Sequence, residues 1–280
     1  MTAGARIHPA RAPWIIFSSF LRKLYLQRGL IRSFVVRDLK ARYIGSFMGI
    51  FWSVIQPIVL LVSYTFVFSV IFGLRPQPDS GTTSFPLFLF CSILPWLFFQ
   101  DTLMRSSTAV IDNANLVTRT LFPTEILPLT VVLAGVVNHL IGFVILLSIL
   151  LITAGKLGPS MLLVPVYFAC LLLFTLGLAW LVSSLNVFIR DTSQVLGVIL
   201  TFWFWFTPIF FSADRFPQSL KFLVYWNPLA HVVTGYRDCL LRVRPPDFQA
   251  LGFLAIVSLA VFIAGGVFFR QTKREFVDVL

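Results

Sequence analysis

The chain has 280 residues, 58% of them hydrophobic and only 12% charged, with a mean hydropathy of +0.90 and a formal charge of +11. Soluble domains carry about a quarter charged residues, so this chain lacks the polar surface that a water-soluble core needs, and it is predicted to be an all-α polytopic membrane protein. The basic excess does not read as a nucleic-acid surface: nine basic residues against one acid, Asp38, fall in the first 42 positions, and the others sit between apolar runs.

No cleavable leader is read at the start, because the apolar stretch from Trp14 to Leu21 is short and no small-residue cleavage site follows it. Residues 14–46 instead predict a basic amphipathic helix in the membrane interface, with a break at Gly29. Phe17, Phe20, Leu21, Leu24, Ile31, Phe34, Val35 and Leu39 recur at three- and four-residue spacing, and Arg22, Lys23, Arg28, Arg32, Arg37, Lys40 and Arg42 fall mostly on other faces.

Six predominantly apolar stretches follow, and each predicts a span: 49–72, 85–105, 126–153, 160–189, 192–212 and 248–270. The first is 24 residues, about 36 Å as a helix, enough to cross a ~30 Å hydrocarbon core with some tilt. Six crossings put both termini on one side. Placing that side in the cytoplasm leaves 15 basic residues inside against seven outside, so the termini are predicted to be cytoplasmic. A single domain is expected over 1–280, with short turn-like loops and no internal repeat.

The apolar segment 222–236 has 15 residues and contains Asn227, Pro228 and His231, which is too short and too broken to span. With the residues before it, it predicts a re-entrant helical hairpin over 213–241 at the outer face, held against other spans that satisfy its backbone. Residues 112–123 predict a short amphipathic cytoplasmic helix ending before Pro123, whose apolar Leu116, Val117, Leu121 and Phe122 call for a docking partner.

No catalytic constellation is visible. Cys91, Cys170 and Cys239 lack metal-ligand spacing and read as small buried hydrophobes. His8, His139 and His231 are scattered, with His139 read as a structural polar residue. The one Gly-Lys, at 155–156, lacks a glycine-rich loop, so no nucleotide site is expected in this chain. The spans carry almost no ionisable residues, which argues against ion-driven transport.

Residues 201–211 read TFWFWFTPIFF, seven aromatics in eleven positions. An aromatic belt at the interface is the simpler reading. However, Phe202, Trp203, Phe204, Trp205 and Phe206 are consecutive and cover every side of a helix, so some must face other spans or a lumen, where flat rings stack on sugars. Pro208 predicts a kink.

Four stretches carry a family likeness over essentially the whole chain: RDLKARYIGSFMGIFWSVIQP at 37–57, NANLVTRTLFPTEILPL at 113–129, TPIFFSADRF at 207–216 and WNPLAHVVTGYRDCLL at 226–241. In these, the chain resembles the membrane subunit of ABC type-2 exporters of the polysaccharide branch. The resemblance implies export of an undecaprenyl-linked polysaccharide, O-antigen foremost, through a channel in the inner membrane formed by a homodimer. Two copies of a separate nucleotide-binding subunit would hold ATP and Mg, and this chain would need no cofactor of its own. Asn113, Asn115, Leu116, Val117, Arg119, Phe122, Pro123 and Glu125 correspond to the coupling helix that docks on that subunit. Phe51, Trp52, Phe202, Trp203, Trp205 and Phe206 become the candidate channel lining, and 208–241 the broken helices that cap it. Arg37, Lys40 and Arg42 are candidates for the lipid pyrophosphate, since guanidinium groups pair bidentately with phosphate, although orientation and attraction to anionic lipid explain the same charges. Alternatives are export of capsular polysaccharide or teichoic acid, and a drug, haem-precursor or lipid permease of the same superfamily. A membrane-embedded enzyme is disfavoured, because it needs clustered acids or histidines.

Overall fold

The computed structural model describes residues 26–43, 47–119, 122–154 and 158–280. The expected interface-helix residues 14–25 and 44–46, the side chain of Arg119, and residues 120–121 and 155–157 lie outside what is described. Among the described residues the chain is all-helical with no strand. In chain order the helices are α1 (Arg28–Tyr43), α2 (Trp52–Thr65, continued by a wide π-helical turn Phe66–Ile71), α3 (Phe85–Thr108), α4 (Ala114–Arg119), α5 (Ile126–Ala154), α6 (Val164–Phe188), α7 (Thr192–Phe206), α8 (Lys221–Tyr225), α9 (Pro228–Arg237), α10 (Phe248–Thr272) and α11 (Phe276–Val279). Gly29 lies inside the first turn of α1 and does not break it.

Five helices are long and apolar enough to cross a bilayer: Trp52–Ile71, Phe85–Thr108, Ile126–Thr153, Pro159–Phe188 and Phe248–Thr272. The segment expected as a span over 192–212 differs. Its helix stops at Phe206 after 15 residues, about 22 Å at the usual rise, which is less than a ~30 Å core. The cause is Pro208. Its ring disfavours helical backbone in the preceding residue, and Thr207 is extended at φ −92°, ψ 132°. Pro208 therefore ends α7 rather than kinking it.

The helix α3 is the hub. Apolar or small residues cover its whole circumference, and 17 of its side chains are buried, including Trp96, Phe90 and Phe99. Around it pack α2, α5, α6, α7 and α9. By contrast α2 has no buried residue. It touches α7 and the segment after it through aromatic rings: Tyr64 lies 6.3 Å from Phe204, and Phe68 stacks on Phe210 at 4.3 Å.

The longest helix contact is α6 on α10. Gly177 and Gly265 make it possible, since a Cβ built on Gly265 would meet the Gly177 carbonyl and one on Gly177 would meet the Val261 carbonyl. Within a membrane, close backbone approach at small residues supplies the van der Waals contact that holds helices together. Gly265→Leu is therefore expected to cost roughly 1–3 kcal/mol or more, because the obstacle is backbone and cannot rotate away. Thermal unfolding of the detergent-purified chain measures this; an unchanged midpoint would rule out the crossing as described.

Past α7, the chain returns through α8 and α9. Asn227 caps α9, its side chain accepting from the Leu229 amide at 3.0 Å. The inner face of α9 buries Leu229, Val232, Val233 and Tyr236 against α3, α6 and α10.

Candidate functional site

Three clusters of polar or aromatic side chains stand out from the apolar bundle. The first lies where α1 meets the C-terminal end of α3. Asp38 accepts from Arg105 at 2.5 Å and from Arg42 at 3.2 Å, and Arg42 also reaches Asp101 at 3.3 Å. Arg37 donates to the Asn113 side chain at 3.0 Å and lies over the Phe34 ring at 4.1 Å, and Phe34 packs on Phe122 at 5.2 Å. The result is a basic helix stapled to α3 through two salt-bridged arginines, and to the turn that leads into α4 through one amide. A cavity of about 400 Å³ between them is lined by Arg37, Asp38, Arg105, Asn113 and Thr130.

The residues expected to couple to a partner do not share one environment. Asn115 is exposed, Asn113, Leu116, Phe122 and Pro123 are half-buried, and Val117 is buried. Glu125 points inward: both its carboxylate oxygens lie 3.0 Å from Lys273 Nζ, and its carbonyl accepts from the Trp180 indole at 3.1 Å. The helix α11 packs on α4 and seats the buried Phe276 against Phe188 and Phe269. Of the candidate phosphate ligands, Arg37 and Lys40 are exposed, whereas Arg42 is enclosed by its two carboxylates.

The second cluster is the aromatic run of α7. Phe202, Trp205 and Phe206 point outward with 64%, 55% and 39% exposure, as do Phe51 and Trp52 at the start of α2 with 67% and 46%. Trp203, expected on the lumen, is instead turned into the bundle. Its ring meets Phe99 edge-on at 5.3 Å, and its indole donates to Asn227 at 2.8 Å. Five consecutive aromatics cannot all share a face, and the one beside Asn227 finds the partner that a buried indole requires.

The third cluster surrounds α9. Arg237 is buried, lies 3.7 Å over the Phe88 ring, and donates to the Ile209 and Phe211 carbonyls at 2.5 and 3.3 Å. Asp238 accepts from Arg242 at 2.8 Å and Arg244 at 3.0 Å, and Arg242 also reaches the Asp79 carbonyl at 2.7 Å. His139 stacks on Phe168 at 4.2 Å and pairs with the Tyr236 hydroxyl at 3.1 Å. Among the described residues, no group of three or more His, Cys, Asp or Glu side chains is placed to hold a metal ion.

Sequence reasoning missed Asp38, Asp101, Arg105, Arg237 and Lys273 as organising residues. A signal was present for the first: Asp38 is the single acid among nine bases. The i, i+4 pair Asp101 and Arg105, at the end of an otherwise charge-free run, was another.

A family model for the ABC-2 type transporter matches residues 29–241. The chain is 31% identical over 264 residues to an O-antigen export system permease protein, RfbA, of Myxococcus xanthus, covering 92% of this chain and 98% of that protein. It is 27% identical over 248 residues to an O-antigen export system permease protein RfbA of Klebsiella pneumoniae, covering 87% and 92%. To a polysialic acid transport protein, KpsM, of Escherichia coli it is 23% identical over 256 residues, covering 89% and 95%. The chain belongs to the ABC-2 type transporter family and is a multi-pass membrane permease rather than an enzyme.

Proposed function

We propose that this chain is the membrane subunit of an ATP-driven exporter of a lipid-linked polysaccharide, and that its cargo is an O-antigen. The observation that carries this reading is the similarity to O-antigen export permeases along nearly the whole length, 92% of this chain in one case. In this reading two copies pair across the exposed faces of α2 and α7, and Phe51, Trp52, Phe202, Trp205 and Phe206 line the shared channel. The uncharged, aromatic character of that face suits sugar rings, which stack through their C–H faces while their hydroxyls stay hydrated. Trp203 has a different part: it holds Asn227, and so the outer helices, to the top of α7.

The sixth crossing is made by α7 together with 207–212, and α8 with α9 form a re-entrant cap on the outer face. Both termini lie in the cytoplasm of a cell with this chain in its inner membrane. ATP and Mg belong to a separate nucleotide-binding subunit, which docks on α4. The Arg37–Asn113 bond and the Lys273–Glu125 pair give that docking site its mechanical link to α1 and to α10. Arg37 and Lys40, exposed on α1, meet the diphosphate of the polyprenyl carrier.

Two measurements test this. Asn115→Arg with Thr118→Arg places two cations on the exposed side of α4. It is expected to abolish co-purification of the nucleotide-binding subunit while the chain keeps its normal membrane abundance; intact assembly would move the docking site elsewhere. Phe202→Leu with Trp205→Leu is expected to cut surface O-antigen about tenfold, the loss of one to two aromatic contacts worth ~0.5–1.5 kcal/mol each. Undiminished glycan with these changes would remove the channel role. The polysialic acid transport relative supports a capsular cargo as the second reading; loss of capsule rather than O-antigen on deleting the chain would select it.

A further inference from the structure

A groove of about 340 Å³ opens between α2 and α5, floored by α3 and closed at one end by Arg42 of α1. No residue of α7 lines it, and of the aromatic face assigned to the channel only Trp52, at the start of α2, borders it. Its walls are unusually polar for helices of this composition. Gln56 comes from α2, Asn138 from α5, and Asp101 and Thr102 from α3. In hydrocarbon each of these would be left facing a medium that cannot hydrogen-bond.

Arg42 is the element that asks for a ligand. Its side chain is 9% exposed, with Nε on Asp38 and Nη1 on Asp101. Its third nitrogen, Nη2, is buried and has no partner among the described residues, and the Thr102 hydroxyl is in the same condition. A guanidinium with one enclosed, unsatisfied donor is matched by a phosphate oxygen. Charge selects the kind of phosphate. Arg42 and Arg105 are balanced by Asp38 and Asp101 in one bonded network, so a dianionic diphosphate would bring uncompensated charge and a zwitterion would not. Asp101 keeps 54% of its side chain exposed and uses only Oδ2 on Arg42, which leaves Oδ1 for an ammonium group.

We propose that this groove holds the head group of an amine-bearing zwitterionic phospholipid. The phosphate sits at Arg42, Gln56 and Asn138, the ammonium at Asp101, and the acyl chains leave between α2 and α5. The site needs no glycan. It shares Arg42 with the sequence-based expectation for the carrier and leaves Arg37 and Lys40 to that role.

The test is native mass spectrometry of the full chain in mild detergent, titrated with phosphatidylethanolamine, phosphatidylglycerol, diacylglycerol or undecaprenyl diphosphate. Phosphatidylethanolamine is expected to be retained in preference to the other three. Asp101→Asn and Arg42→Lys are each expected to weaken it about tenfold, the scale of one charge-assisted hydrogen bond. Gln56→Leu touches no ion pair and covers the case in which the charge variants fail to fold; it too is expected to weaken retention. Equal retention of diacylglycerol, a preference for phosphatidylglycerol, or unchanged binding in Asp101→Asn and Gln56→Leu would overturn the proposal. A preference for undecaprenyl diphosphate would also overturn it, while leaving the export reading intact.

Discussion

Replacing Lys273 with Met is expected to destabilise the folded chain by roughly 2–4 kcal/mol, one of the largest effects of any single substitution outside the apolar core. The Glu125 carboxylate retains only 5% side-chain exposure and takes the Lys273 ammonium symmetrically, 3.0 Å from each oxygen. Removing the cation takes the Lys273 counter-charge away from a buried carboxylate, and breaking such a pair typically costs about 3–5 kcal/mol when both partners are dry. Lys273 keeps 27% of its side chain in solvent, so the lower end of that range applies. The double variant Glu125→Gln with Lys273→Met is expected to recover most of the loss, since replacing both members of a pair is close to neutral. Thermal unfolding of the three proteins in one detergent decides the matter, and equal midpoints for the single and double variants would show that the pair is not what holds the two segments. The pair joins the end of α10 to the start of α5, and α11 lies on α4 immediately beyond. Export is therefore expected to fall in Lys273→Met even where enough folded chain remains in the membrane.

The helical, membrane-spanning architecture was legible in the sequence because charge and hydropathy report which residues avoid water. The uncharged run from Glu125 to Lys156, for example, contains α5 from Ile126 to Ala154. The same signal carries no information on which apolar face meets protein and which meets lipid, since both environments accept Leu and Phe equally. Hence α3, buried all round, and α2, buried nowhere, look alike in composition. Trp203 and Trp205 are two residues apart and chemically identical, yet one is tied to Asn227 and the other is 55% exposed. Only the position of a residue 24 places further on separates them. The candidate site was legible as a set of segments, the basic helix and the loop after α3, but not as a network. Arg42 meets Asp101 across 59 positions and Lys273 meets Glu125 across 148, and pairings at that range are decided by how helices pack rather than by local pattern. The end of α7 was a different kind of miss. The signal, Pro208, was in view, and a proline one residue past an extended Thr207 ends a helix rather than bending it.

Arg237→Met is expected to loosen the outer helices and lower stability by roughly 2–4 kcal/mol, the cost of leaving two buried carbonyls unpaired at ~1–3 kcal/mol each, less what is regained by no longer burying a cation. Arg237 has 3% exposure, donates to Ile209 and Phe211, and covers the Phe88 ring at 3.7 Å. Those two carbonyls belong to the extended segment after α7, where Pro208 has interrupted the helix and where no backbone ladder is available to satisfy them. A side chain must do so, and only a forked, planar donor reaches both at once. Arg237→Lys keeps the charge but offers a single point donor, so it is expected to recover part of the stability and not all of it. Local opening is read directly by placing a cysteine at Ser212, which is 6% exposed in the parent protein, and following its reaction with a membrane-impermeant maleimide. Labelling is expected to be slow in the parent, fastest with Arg237→Met and intermediate with Arg237→Lys. Equal rates in all three would mean that the segment is held by its aromatic contacts, Phe210 on Phe68 among them, and that the arginine is incidental. Through this one residue the extended segment that follows the aromatic face of α7 is held to α9, so a change in the outer helices is expected to reach that face.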